Sequence, residues 1–211
     1  VNRENRLTLT STLNKKFNAK WSLRAGFTSE QYLPDFFNED RDNRVDIPDE
    51  DNDGIPDFLV VRNSLDESYN LTQVFAQAEN RITDDLSVTA GLHSQYHEFT
   101  EKFILEPRAA VSWQARPNQR WSVAYGLHAQ AIPSPILFLE EEVAPGVSER
   151  TNDNLDFMKS HHFVLGYDRR LGDNWRLKAE TYYQDLFDVP VERVASSYSV
   201  VNEGAEFDFE E

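Results

Sequence analysis

The sequence predicts an all-β fold, an antiparallel transmembrane β-barrel segment of about eight strands. Three observations predict it. Apolar side chains recur at every second position over most of the 211 residues, the period of a strand with one apolar face. Short, turn-rich connections alternate with long ones, which puts every short turn at the same end of the strands. No run of about eighteen apolar residues occurs, so a helical span is excluded, whereas alternating strands can still cross a bilayer.

Taken in order, the strands are read as follows. From Arg6 to Lys15 the apolar positions are Leu7, Leu9 and Leu13, and a second strand carries Trp21, Leu23, Ala25 and Phe27. Two less regular strands fit Leu71 to Ile82 and Phe103 to Ala115. Between them Leu86, Val88, Ala90 and Leu92 alternate with polar neighbours. Trp121, Val123, Tyr125, Leu127 and Ala129 do the same around Ser122, Gly126, His128 and Gln130. The last pair holds Phe163, Leu165 and Tyr167, then Trp175, Leu177, Ala179, Thr181 and Tyr183 interleaved with Arg176, Lys178 and Glu180. In a barrel those three charged side chains would face the lumen, hydrated or paired. No amphipathic helix of ordinary length is found.

Turn chemistry joins the strands in pairs at Asn18-Ala19, Thr83-Asp84-Asp85, Pro117-Asn118 and Gly172-Asp173-Asn174. The longer connections are 31–67, 97–102, 131–158 and 189–211. Short turns at the periplasmic end and long loops at the outer end are the outer-membrane pattern. Trp21, Trp121 and Trp175 each open a strand just after a short turn, where an aromatic girdle would meet the headgroups.

Charge follows the same division. The chain carries 21 Lys and Arg against 37 Asp and Glu, a net −16, which excludes a nucleic-acid partner because phosphate binding needs a basic surface. Residues 31–67 hold 12 acidic and 3 basic side chains, residues 138–157 hold 6 and 1, and residues 189–211 hold 6 and 1. The acidity therefore belongs to three connections, expected to be solvated loops, and the strands are slightly basic without them. There is no Cys, so disulfides, thiolate metal sites and cysteine nucleophiles are absent. The chain starts at Val1 without an initiator Met or signal peptide, so an export signal is expected to be removed or to lie outside this sequence.

The run Leu105-Glu106-Pro107-Arg108-Ala109-Ala110-Val111, a turn at Pro117-Asn118, and Trp121 to His128 ending in Tyr125-Gly126-Leu127-His128 follow one another in the strand pattern. Lys159-Ser160-His161-His162-Phe163-Val164-Leu165-Gly166-Tyr167 comes next, then Ala179-Glu180-Thr181-Tyr182-Tyr183-Gln184, Val189-Pro190-Val191 and Ser199-Val200-Val201-Asn202-Glu203-Gly204-Ala205. In content and order these segments, over about residues 70–207, resemble the barrel of TonB-dependent receptors of the Bacteroidota type, which often carry a carboxypeptidase-regulatory-like domain. The resemblance implies a 22-stranded barrel filled by an N-terminal plug. Residues 1–211 would then be a partial outer-membrane β-barrel domain with a long acidic extracellular loop at 31–67. No plug is read within the chain. It also lacks the aromatic residue that typically ends such barrels, stopping at Phe209-Glu210-Glu211, so a portion of a larger chain is expected. The implied function is capture and import of a nutrient (siderophore, cobalamin, glycan or peptide) across the bacterial outer membrane. Implied partners are the plug of the same full-length chain, the TonB complex acting through it, a surface lipoprotein and outer-membrane lipid.

The strongest local motif is Asp49-Glu50-Asp51-Asn52-Asp53-Gly54-Ile55-Pro56-Asp57. Calcium takes six to eight oxygens, and Asp at alternate positions before a Gly bend can aim several carboxylates at one centre. Asp49, Asp51, Asp53, the carbonyl of Ile55 and Asp57 are the expected ligands. Val60 stands where an EF-hand has its bidentate Glu, and the spacing resembles thrombospondin type 3 calcium loops instead. The competing reading is an acidic loop that binds nothing. His161 and His162 are adjacent in a strand and point to opposite faces, while His93, His97 and His128 have no partner at ligand spacing, so structural or lumen-lining roles are expected. Nucleophile elbow, phosphate-cradling loop and H-E-x-x-H are all missing, and the chain is read as not an enzyme. Two rival readings are a soluble calcium-binding β-sandwich adhesion module and a small self-contained eight-stranded outer-membrane barrel.

Overall fold

The computed structural model describes residues 3–46, 58–65, 68–144, 147–191 and 199–201. The long strands are β1 (Arg3–Lys16), β2 (Trp21–Asp46), β4 (Tyr69–Arg81), β5 (Leu86–His97), β6 (Lys102–Arg116), β7 (Gln119–Gln130), β10 (Met158–Leu171) and β11 (Trp175–Phe187). Shorter strands are β3 (Phe58–Leu65), β8 (Leu139–Ala144) and β9 (Val147–Arg150), with one helical turn, α1 (Ser134–Leu137). All pairings are antiparallel, and the sheet runs β11-β10-β7-β6-β5-β4-β2-β3-β8-β9, with β1 paired to β2.

Turn residues set the hairpins. Asn18 Oδ1 accepts the backbone N–H groups of Lys20 at 2.8 Å and Trp21 at 2.9 Å, and Thr83 Oγ1 accepts that of Leu86 at 3.0 Å. Gly172 turns β10 into β11 at φ 68°, a conformation that costs glycine nothing. The hairpin turns at 17–20, 82–85, 117–118 and 172–174 lie at one end of the long strands, as the alternating connections predict.

Cross-strand register then sorts every second residue onto one face. Leu9, Phe27, Val74, Leu92, Leu105, Val123 and Leu165 share a face, with Leu9 63% exposed and Val123 56%. Nothing in the described residues covers this apolar surface. At the short-turn end Trp113 pairs with Trp121 and Trp121 with Tyr167, beside Trp175 at 77% exposure. Phe103 and Tyr96 pair at the other end. Trp113 and Phe103 are separated along β6 by ~33 Å at ~3.3 Å per residue, or ~23 Å of depth for a strand tilted by ~45°, close to the height of an outer-membrane apolar band.

Two expectations are corrected here. The fold is all-β and antiparallel, but it is not a barrel: among the described residues no pairing joins the two outer long strands β1 and β11, and the sheet stays open. Period-two alternation reports which face a side chain takes and is silent on whether edge strands meet. A self-contained eight-stranded barrel is excluded with it, as is a sandwich, since all eleven strands lie in one sheet. The described parts of 31–67 and 138–157 are also more structured than solvated loops. β2 continues to Asp46 and pairs with β3 inside 31–67, without apolar alternation, because a hairpin beyond the apolar band needs no apolar face.

Residues 131–158 build the largest core instead of a free loop. Phe138 is fully buried and Leu137 is 1% exposed, packed with Tyr69, Ile132, Ile136 and Val200. Pro133 precedes the α1 turn, whose Ile136 carbonyl accepts Asn152 Nδ2 at 2.9 Å.

Candidate functional site

The face opposite the apolar one carries the polar chemistry. His93 in β5 lies across from Glu106 in β6, and the two side chains are hydrogen-bonded through His93 Nδ1. β6 and β7 pair only from Arg108 and Gly126 toward the short turn. Beyond that point the Glu106 carboxylate replaces the missing ladder, accepting the Ala129 backbone N–H at 2.7 Å and Gln95 Nε2 at 3.1 Å. Gln95 Nε2 also reaches the Ala129 carbonyl at 2.9 Å. A carboxylate only 1% exposed is tolerable because each of these donors meets it. Arg108 Nη2 lies 3.6 Å from Glu106 Oε1.

An open cleft of about 530 Å³ lies over this network, bounded by Tyr32, Leu71, Gln95, Arg108 and His128. Tyr32, on its lining, belongs to an aromatic cluster shared with the 131–158 segment. Tyr69 stacks on Tyr32 with ring centroids 4.9 Å apart, and its hydroxyl meets Ser134 Oγ at 2.8 Å. Phe99 packs edge-on against Phe138 at 4.4 Å, and His97 against Phe157 at 6.4 Å. Lys159 Nζ ties the base of the segment, donating to Asp156 at 2.7 Å and Asp188 at 2.8 Å. Burial works against ionisation of Asp156, but the Lys159 ammonium and the Phe157 N–H outweigh it and hold the carboxyl below its ordinary value.

His161 and His162 take opposite faces, as adjacency in a strand predicts. His162 sits on the polar face, its ring 4.4 Å from His128 and its Nε2 2.6 Å from Gln184 Nε2, while His161 faces the other way and meets the Tyr125 hydroxyl at 3.0 Å. What spacing missed is that His93, His128 and His162 share one face with Glu106 and Arg108. Arg176 pairs with Asp168 on the same face near the short turns, through Nε at 2.8 Å.

The calcium expectation is corrected. Among the described residues no group of three or more His, Asp or Glu side chains could hold a metal ion. Asp49, Asp51, Asp53, Ile55 and Asp57 themselves lie outside the described residues. Alternating carboxylates are also the composition of an acidic loop that binds no cation, and spacing alone does not separate the two.

A sheet with one bare apolar face and one hydrogen-bonded polar face is built to stand between lipid and water, the outer-membrane class of β-protein. The family described as "TonB dependent receptor-like, beta-barrel" matches residues 1–208, and the chain belongs to it. Its members are bacterial outer-membrane proteins and transport proteins, not enzymes. In fold, the chain is similar to a point mutant of the ferric enterobactin receptor PfeA from Pseudomonas aeruginosa, with a TM-score of 0.51 and 14% identity. The same receptor in complex with BCV-L6 gives a TM-score of 0.51, again at 14% identity. In both cases 88% of this chain is covered and 35% of the receptor, so the chain spans about a third of the length of these structures. No curated protein matches the chain in sequence.

Proposed function

We propose that the chain is part of a TonB-dependent outer-membrane transporter that captures a nutrient and imports it to the periplasm. The observation that carries this reading is the register, which sets an uncovered apolar face against a polar face of interlocked His, Glu, Gln and Arg. The apolar face meets lipid and the polar face meets the transport path. The sequence segments that resemble the Bacteroidota type support that branch of the family, with a carboxypeptidase-regulatory-like domain elsewhere in the full-length chain. Its partners in transport are the plug of the same full-length chain, the TonB complex engaged through that plug, and a surface lipoprotein at the outer end. The acidic 31–67 segment and the 131–158 cap stand on the extracellular side, where the nutrient arrives.

The test uses cells that make the full-length protein, with and without TonB. Uptake of labelled ferric siderophores, cobalamin, oligosaccharides and peptides is compared. One of these is expected to accumulate only when both proteins are present, with the receptor in the outer-membrane fraction. Uptake that persists without TonB, or recovery of the receptor from the soluble fraction, would contradict the reading.

A further inference from the structure

The apolar face changes character at its turn end. Trp113, Trp121 and Tyr167 stand side by side across β6, β7 and β10, and the next row of that face toward the turns is Arg116, Gln119 and Arg169. An unbroken ladder would set Ala115 opposite Gln119. The bulge between Gln114 and Arg116 sets Arg116 there instead, so one extra residue brings a second guanidinium to this row. β7 alone separates the two arginines, whose backbones are therefore ~10 Å apart at ~4.8 Å per strand, near enough for both side chains to meet one phosphate between them. Arg169 lies two residues past Tyr167, ~6.6 Å along the strand, or ~5 Å of depth at a tilt of ~45°. That is the step from an aromatic girdle to the headgroup phosphates.

Other cations at this end are occupied on the opposite face. Arg120 Nε donates to Gln114 Oε1 at 3.1 Å, and Arg176 Nε to Asp168 Oδ1 at 2.8 Å. Among the described residues Arg116 is exposed and forms no ion pair, and Arg169 Nε is shielded from water with no hydrogen-bond partner. A shielded donor on a charged group is costly unless an acceptor meets it, and here the acceptor has to come from outside the chain. Charge favours an anion at this end as well. The turn segments 15–22, 79–86, 114–121 and 168–178 hold 10 basic and 5 acidic side chains, the reverse of the balance in the long connections. The row borders the bare apolar face, so its ligand needs an anionic head on an apolar body. In the receptor reading the plug meets the other face and leaves this one to lipid.

We propose that Arg116 and Arg169 clamp the phosphodiester of an anionic glycerophospholipid in the periplasmic leaflet, with Trp113 and Trp121 against its glycerol and upper acyl chains. Each guanidinium fork matches two phosphate oxygens, and a net negative headgroup adds no ammonium to repel the pair. The clamp fixes the depth of the turn end in the bilayer. The proposal rests on the outer-membrane reading and deepens it by naming the lipid class.

The test is native mass spectrometry of the detergent-solubilised full-length receptor with phosphatidylglycerol and phosphatidylcholine in equal amounts. Phosphatidylglycerol is expected to be retained about tenfold more, the scale of two basic side chains at an anionic surface. Arg116→Gln combined with Arg169→Gln should bring the two lipids close to parity. Arg116→Lys combined with Arg169→Lys, which keeps the charge without the fork, should fall between. Arg176→Gln, at the same end on the opposite face, should leave the preference unchanged. A heat-shifted gel band for each variant establishes that it is folded. Equal retention of both lipids by the unaltered receptor, a preference that survives the double glutamine variant, an equal loss in Arg176→Gln, or displacement of the lipid by equimolar glycerol 3-phosphate would each overturn the proposal. A receptor found in the outer-membrane fraction but without lipid preference removes this inference alone, whereas recovery from the soluble fraction removes the outer-membrane reading.

Discussion

At the scale of single residues, Glu106 is where the sheet depends most on one side chain. It serves donors from β5 and β7 at the point where β6 and β7 part, so its loss leaves the Ala129 N–H without its acceptor and Gln95 Nε2 with the Ala129 carbonyl alone. Glu106→Ala is expected to cost roughly 3–5 kcal/mol, the range for breaking a buried charged network, and Glu106→Gln less because an amide oxygen can still accept. Unfolding of the full-length protein in detergent, followed by its shift on unboiled gels, reads both. Asp156 gives the pH dependence. Its carboxyl is held below the ordinary value when folded, so the stability it contributes is present above the unfolded value and is lost as pH falls through the lowered folded one. Acidification across that window should free the 131–158 segment to added protease, and Asp156→Asn should be cut at neutral pH as readily as the parent is in acid.

At the scale of elements, the strands and the cap fail separately. Phe138 is fully buried, and Phe138→Ala should cost about 3–5 kcal/mol locally. Protease should then cut within 131–158 while the sheet stays resistant; loss of the whole fold would contradict this division. On β7 the two faces predict opposite outcomes. Leu127→Arg puts a charge on the apolar face and should cost about 2–4 kcal/mol near mid-depth, whereas Ala124→Arg on the polar face should be tolerated. Outer-membrane yield of the two variants checks the contrast. These elements also show what a sequence can convey. Leu7, Leu9 and Leu13, or Trp121 to Ala129, announce strands because alternation is local, and Asn18 and Gly172 announce turns for the same reason. Glu106 meeting Ala129, and Phe138 meeting Tyr69, depend on contacts between residues far apart in sequence, which no local period encodes. The extension of β2 to Asp46 was illegible because the stretch has no apolar rhythm for a local period to report.

At the scale of the whole molecule, the open sheet and the two-sided register fit together. An isolated soluble sheet that left Leu9, Trp113, Val123 and Trp175 uncovered would aggregate, so the apolar face needs a lipid neighbour. The acidity is concentrated in three connections of the sequence, which explains how a chain of net charge −16 can present a nearly uncharged strand face to a bilayer. The most direct measurement is site-directed spin labelling of the full-length protein in bilayers, one label at a time from position 121 to 129 along β7. Accessibility to oxygen and to an aqueous nickel chelate should alternate with a period of two, with Val123 and Leu127 favouring oxygen and Ala124 and His128 favouring the chelate. Accessibility that varies smoothly along the strand, or favours the chelate at every position, would contradict a sheet that separates lipid from water.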